Sequence, residues 1–194
     1  MKKHLTLILT LALSSLSLSL HAQEDIDNIK KWYSEAEGNK TLKTTTYSLD
    51  EDGGVMKLKR FVDTRGNVVK VELTAGGAHG SINDIYYYKD GLLFFVLRTE
   101  FDWRFTDKRD KNGNQMTIDS ALQTRVFLNR TKVLQLLEKS VSTEDAEAVV
   151  DILAKAQNKA AKVNESHTWI INLAYAAKFV SSRAELDAFS KLGI

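Results

Sequence analysis

The chain contains no cysteine and no proline. Without cysteine there are no disulfide staples, so burial alone must hold the fold, and no thiol is present at a cleavage site to take a lipid anchor. Without proline, where ordinary usage gives roughly nine or ten in such a length, folding has no prolyl isomerisation step. Histidine is scarce too: beyond residue 22 only His79 and His167 are found, far apart in sequence. Charge is present but balanced. Residues 1–22 hold two of the 27 Lys and Arg and none of the 25 Asp and Glu, which leaves 25 against 25 in the remainder. No block of one sign stands out, which argues against nucleic acid and against a polybasic membrane surface as partners.

The only long apolar run lies at the start. Lys2 and Lys3 precede a leucine-rich stretch from Leu5 to Leu20, followed by Leu20-His21-Ala22 and the polar Gln23-Glu24-Asp25. A charged segment, a short apolar segment and a small residue are the parts of a secretory signal peptide, with cleavage expected between Ala22 and Gln23. The run, about 16 residues with four serines, falls short of the roughly 20 apolar residues of a spanning helix. The expectation is therefore an exported chain, periplasmic or secreted, with no transmembrane segment after cleavage. The leader and the composition look like those of a small exported bacterial protein.

Residues 23–194 are read as a single α+β domain. Gln23 to Glu37 has Ile26, Ile29, Tyr33 and Ala36 at helical spacing, acidic residues in its first turn and Gly38 as a stop. From Thr41 the period becomes two, and extended runs follow over Thr41 to Leu49, Val55 to Val62, Asn67 to Ala75, Ile82 to Lys89, Gly91 to Phe105 and Met116 to Asn129. Asp52-Gly53-Gly54, Arg65-Gly66-Asn67 and Lys89-Asp90-Gly91 supply the turns. This is an antiparallel β-meander of about six strands. Alternation puts Val69, Val71 and Leu73 on one face with Lys70 and Glu72 on a wet one, and Leu93, Phe95 and Leu97 opposite Leu92, Phe94 and Val96. After residue 130 the spacing reads as helical: Thr131 to Lys139, Ser142 to about Lys162, and His167 to Val180, with Ser182 and Glu185 capping a last helix. The division is thus a helix plus sheet over 23–130 and a helical hairpin or small bundle over 131–194.

Candidate chemistry is sparse. Gly76-Gly77-Ala78-His79-Gly80-Ser81 could let backbone amides approach an anion beside His79 and Ser81, with Asp84 or Glu100 as carboxylate, a weak hydrolytic alternative. Its simpler reading is a strand connection, and no G-x-S-x-G pattern accompanies it. The acidic loops Asp50-Glu51-Asp52 and Asp107 to Asn114 do not match a calcium loop and read as polar hairpin tips, so no metal or cofactor is assigned. Asp119-Ser120-Ala121 fits an O-glycosylation acceptor pattern at Ser120, and three N-x-S/T sequons matter only in a eukaryotic secretory route.

Aromatics carry the leading expectation. Of three consecutive tyrosines, Tyr87 is assigned with Ile85 to the core, which leaves Tyr86 and Tyr88 on the face that also bears Arg98, Glu100, Asp102 and Arg104. Rings and alternating charges on one face suit a non-catalytic binding module that takes a protein or glycan of the cell envelope. The alternatives are a hydrolase of envelope material working through the His79 loop, and a structural protein that oligomerises through Ile170, Leu173 and Ala177.

Overall fold

The computed structural model describes residues 24–51 and 53–192; the expected leader and its cleavage site lie outside them. Helix α1 spans 24–38. Seven long strands follow: β1 (Lys43–Glu51), β2 (Gly54–Val62), β3 (Val68–Gly77), β4 (Gly80–Lys89), β5 (Leu92–Arg109), β6 (Gln115–Asn129) and β7 (Lys132–Thr143). A 3₁₀ turn (Ala146–Ala148) leads into α2 (Val149–Lys155), a two-residue strand β8 (Lys159–Ala160), α3 (Glu165–Ala177) and α4 (Arg183–Ser190). Among the described residues no helix is long and apolar enough to cross a membrane. The strands form one antiparallel sheet in sequence order from β1 to β8.

The architecture is α+β, with eight strands where alternation gave about six. Thr131 to Lys139, expected as a helix, lies almost wholly in β7, and Ser142 to Lys162 holds a single two-turn helix, α2, between β7 and β8. The helical part therefore begins after the sheet is nearly complete, and a boundary at residue 131 would cut through it.

Both faces of the sheet are covered. On the first, α3 and α4 lay Ile170, Leu173, Ala174, Ala177, Leu186 and Phe189 over Leu58, Val71, Leu73, Tyr86, Tyr88, Val96 and Val126. On the second, α1 places Ile29 and Ala36 over Tyr87, Phe94, Phe95 and Phe127, while Val149 and Leu153 of α2 pack on Ala121. The second face is not wet at Lys70, which is buried under the end of α1 and donates to Glu37 Oε1 (2.9 Å). Tyr87 donates to the same oxygen (3.0 Å). Burial alone would raise Glu37, but these two hydrogen bonds hold its carboxyl below the usual range.

Besides an irregularity at the far end, where residues 106–108 of β5 stand against residue 116 of β6, three β-bulges set the sheet's shape. Register shifts leave Val69 on β3, Phe94 on β5 and Leu134 on β7 without a cross-strand partner, each two residues or fewer from the start of its strand. Because odd-numbered strands all start at the same end, the bulges line up there, under α1, and a bulge bends its strand and deepens the right-handed twist. They also reassign faces. Val69 joins Lys70 on the α1 face, and Phe94 joins Phe95 and Leu97, while Leu93 and Val96 go to the α3 face. Strict alternation had divided these residues differently.

The hairpin tips reuse one device. Asp63-Thr-Arg-Gly-Asn67 and Asp110-Lys-Asn-Gly-Asn114 both fold so that the aspartate accepts from the backbone N–H groups two and four residues on (2.8–2.9 Å) and from the asparagine side chain (3.1 Å). Both glycines take positive φ, +85° at Gly66 and +84° at Gly113. The second tip is the acidic loop considered above for calcium, and its Asp110 is occupied by the turn itself. Asp52 of the first acidic loop lies outside the described residues.

Candidate functional site

The glycine-rich segment is a tight hairpin rather than a loop. Gly77 pairs with Gly80, Gly76 with Ser81, and only Ala78 and His79 make the turn. Gly80 and Ser81 pair in turn with Asp102 and Phe101 of β5, so the peptide groups of this segment belong to the sheet ladder and do not form an open anion cradle. Glycine is needed at position 80 for space: a Cβ there would stand 2.5 Å from the Phe101 carbonyl oxygen, a backbone atom that cannot rotate away. Gly80→Ala should therefore lower unfolding free energy by about 1–3 kcal/mol in urea denaturation. An unchanged midpoint would mean that β4 and β5 can separate freely here.

His79 is held from β5. Trp103 donates from its backbone N–H to the His79 carbonyl (3.3 Å) and from Nε1 to the Ala78 carbonyl (3.1 Å), and the two rings lie 5.1 Å apart. The carboxylates considered as partners for His79, Asp84 and Glu100, are both engaged with Arg98. Ser81 lines two open clefts at this corner of the sheet. One, of about 710 Å³, is bounded by Leu49, Met56, Ile82, Glu100 and Asp102 on the α3 face. The other, of about 620 Å³, is bounded by Thr74, Phe101, Trp103 and Val149 on the opposite face.

Of the six residues expected at a binding face, all do share one face of the sheet, but α3 and α4 divide the row. Tyr86, Tyr88 and Arg98 are buried, at 0%, 2% and 4% exposure, so the rings are not free aromatics. Tyr88 donates to the Ala174 carbonyl of α3 (2.5 Å) and Tyr86 to Asp84 Oδ2 (2.5 Å). Past the end of the helices the row emerges: Glu100 and Asp102 line the larger cleft and Arg104 is exposed. The stripe considered for oligomerisation, Ile170, Leu173 and Ala177, is likewise spent inside the molecule. Ser120 sits on β6 with its Oγ 2.9 Å from that of Ser142.

No known protein family, curated protein or solved structure matches this chain.

Beneath α3 runs a polar row that the sequence did not single out. Asp84, Arg98, Thr124 and Glu138 stand opposite one another on β4, β5, β6 and β7. His167 Nε2 lies 2.8 Å from Glu138 Oε1, and the Arg98 guanidinium sits 5.0 Å from the Trp169 ring centre. Arg98 Nε is 2.6 Å from Glu100 Oε1 and 3.5 Å from Asp84 Oδ1, at angles that miss a hydrogen bond. Arg98 Nε and Nη1 and Asp84 Oδ1 therefore lack a hydrogen-bond partner among the described residues. Burial pushes the Asp84 carboxyl up to about 6, with Glu100 adding to the push, while Arg98 and the Tyr86 hydroxyl oppose it. A cross-strand row of this kind carries no short motif, since even neighbouring members are 14 to 26 positions apart in sequence.

The far end of the sheet is the part most open to a partner. Strand β4 begins opposite Asp102 and β7 ends opposite Asp119, so residues 103–109 and 115–118 project as a two-stranded arm. Trp103 and Phe105 meet edge to face on it, 5.1 Å apart, and Phe105 is 58% exposed.

Proposed function

We propose that this protein is an exported, non-catalytic binding module that recognises a protein or glycan of the cell envelope at the open corner of its sheet. The observation that carries the reading is the projecting β5–β6 arm. It presents an aromatic pair, the half-buried Trp103 and the exposed Phe105, beside Asp102 and Arg104, at the rim of two clefts. Aromatic rings with arginine at the centre of a patch are what binding hot spots are made of, and flat rings also stack on sugar faces. The export half of the proposal rests on the charged, apolar and small-residue order of residues 1–22.

The test uses the chain from Gln23 onward, crosslinked to envelope material of its own host and probed on a glycan array. Arg104→Glu with Phe105→Ser should cut recovery at least tenfold, the loss of about 1.4 kcal/mol or more, with an unchanged melting temperature because both side chains are exposed. Equal recovery by the double variant would sink the arm as the binding surface.

A further inference from the structure

The sheet has one long bare edge. At the other margin β8 is two residues long and is followed by a bond from the Ala161 N–H to the Leu136 carbonyl. Strand β1 is nine residues long, pairs with β2 on one side only, and receives no backbone hydrogen bond on its other side from any described residue. Native edges are usually blunted by proline, a bulge or charge in mid-strand. Here the stretch Thr44-Thr45-Thr46-Tyr47-Ser48-Leu49 has none of these, its register with β2 is unbroken, and all but Tyr47 and Leu49 are exposed.

Hairpin geometry says which groups face outward. Glu51 and Gly54 close a two-residue connection, so they form a hydrogen-bonded pair, and such pairs alternate along the ladder with non-hydrogen-bonded ones. Lys43, Thr45, Tyr47, Leu49 and Glu51 therefore spend their N–H and C=O groups on β2. Thr44, Thr46, Ser48 and Asp50 point theirs away from the sheet.

We infer that β1 is a dimerisation edge: two copies of this chain pair antiparallel through it about a two-fold axis at Tyr47, joining two eight-stranded sheets into one. Three features of the strand select a second copy in this register. A two-fold normal to the sheet requires residues of the same face to stand opposite, and the Tyr47-centred register meets this while engaging all four outward residues. Thr44 then pairs with Asp50 and Thr46 with Ser48, each twice by symmetry, with two bonds exchanged per pair. Charge is self-complementary as well, because Lys43 at one end comes opposite Glu51 at the other, whereas parallel pairing would bring the acidic ends together. The central Tyr47 pair falls at a non-hydrogen-bonded position, where side chains approach most closely.

Sedimentation equilibrium of the chain from Gln23 onward, over a concentration series, tests this. The mass should rise to that of a dimer with concentration. Thr46→Pro removes one outward N–H and no bond to β2, so it should stay monomeric at every concentration with the far-ultraviolet spectrum of the parent. Lys43→Glu should weaken the dimer roughly tenfold, since two like-charge pairs each cost a few-fold, and Lys43→Glu with Glu51→Lys should restore it. A chain that is monomeric throughout, or a charge reversal that the second reversal does not rescue, overturns the proposal.

Discussion

A chain ending at Val163 should show no cooperative thermal transition and should bind a hydrophobic dye at all temperatures. Helices α3 and α4 and the connection between them lie beyond that point and supply Ile170, Leu173, Ala174, Ala177, Val180, Leu186 and Phe189 to the core, each no more than 4% exposed. Removing them also uncovers Leu58, Leu73, Tyr86, Val96 and Val126, which are at most 1% exposed in the whole chain. Fully burying one large apolar side chain is worth about 1.5–3 kcal/mol, and a domain's net stability is only about 5–15 kcal/mol. Losing several such residues, together with the cover of their partners, exceeds that margin. Circular dichroism melts of the two chains decide the matter. A sharp transition in the shortened chain would mean that the helices are an appendage and that the sheet is held from the α1 side alone.

The second large effect concerns Arg98. Arg98→Ala leaves Asp84 buried without its cation, and breaking a buried pair from one side costs about 3–5 kcal/mol. The cost should depend on pH. The Asp84 carboxyl titrates near 6 in the folded chain against an ordinary 3.8, so the native state holds more protons than the unfolded state between those values. Stability credited to Asp84 is therefore present at low pH and is lost as pH rises through that window, by about 3 kcal/mol. Urea denaturation of Asp84→Asn, whose amide keeps a hydrogen-bond acceptor for Tyr86, should show stability gaining on the parent as pH rises from 4 to 6. Without Arg98 the carboxyl moves higher still, so Arg98→Ala should cost much less at pH 5 than at pH 8. Equal costs at the two pH values would show that ionised Asp84 is not the group left stranded.

What the sequence disclosed and what it concealed both follow from period. Strands β1 to β6 were legible because their turns carry glycine, asparagine and aspartate at the required places and their alternation is clean away from the bulges. Strand β7 was not. Its bulge at Leu134 puts Val133 and Leu136 on the α3 face and Leu134 and Leu137 on the α1 face, so one extra residue turns a period of two into the three-residue spacing of a helix. The same effect misassigned Val69 and Phe94. For the candidate site, alternation correctly grouped Tyr86, Tyr88, Arg98, Glu100, Asp102 and Arg104 on one face, but nothing local says how far a helix from the other end of the chain will reach across it. Asp84 was weighed only as a carboxylate for His79, because its partner Arg98 and the covering Trp169 are distant in sequence and only the register brings them together.

The strand order has a consequence for the speed of folding. Every strand from β1 to β7 pairs with its neighbour in sequence, across connections of two to five residues, with no crossover. Closing so short a connection costs little chain entropy, and local pairing is what separates fast folders from the slow Greek-key sandwiches. The ladder can therefore zip hairpin by hairpin as successive segments become free, without waiting for a distant partner. Helix docking is the long-range part: α1 must meet Phe127 of β6, and α3 and α4 close over a face whose far strands, β1 and β2, lie more than a hundred residues back. Until that closure, the aromatic and aliphatic side chains of that face stand in water. The interval before the last helices dock is the one in which this chain is most exposed to aggregation and proteolysis.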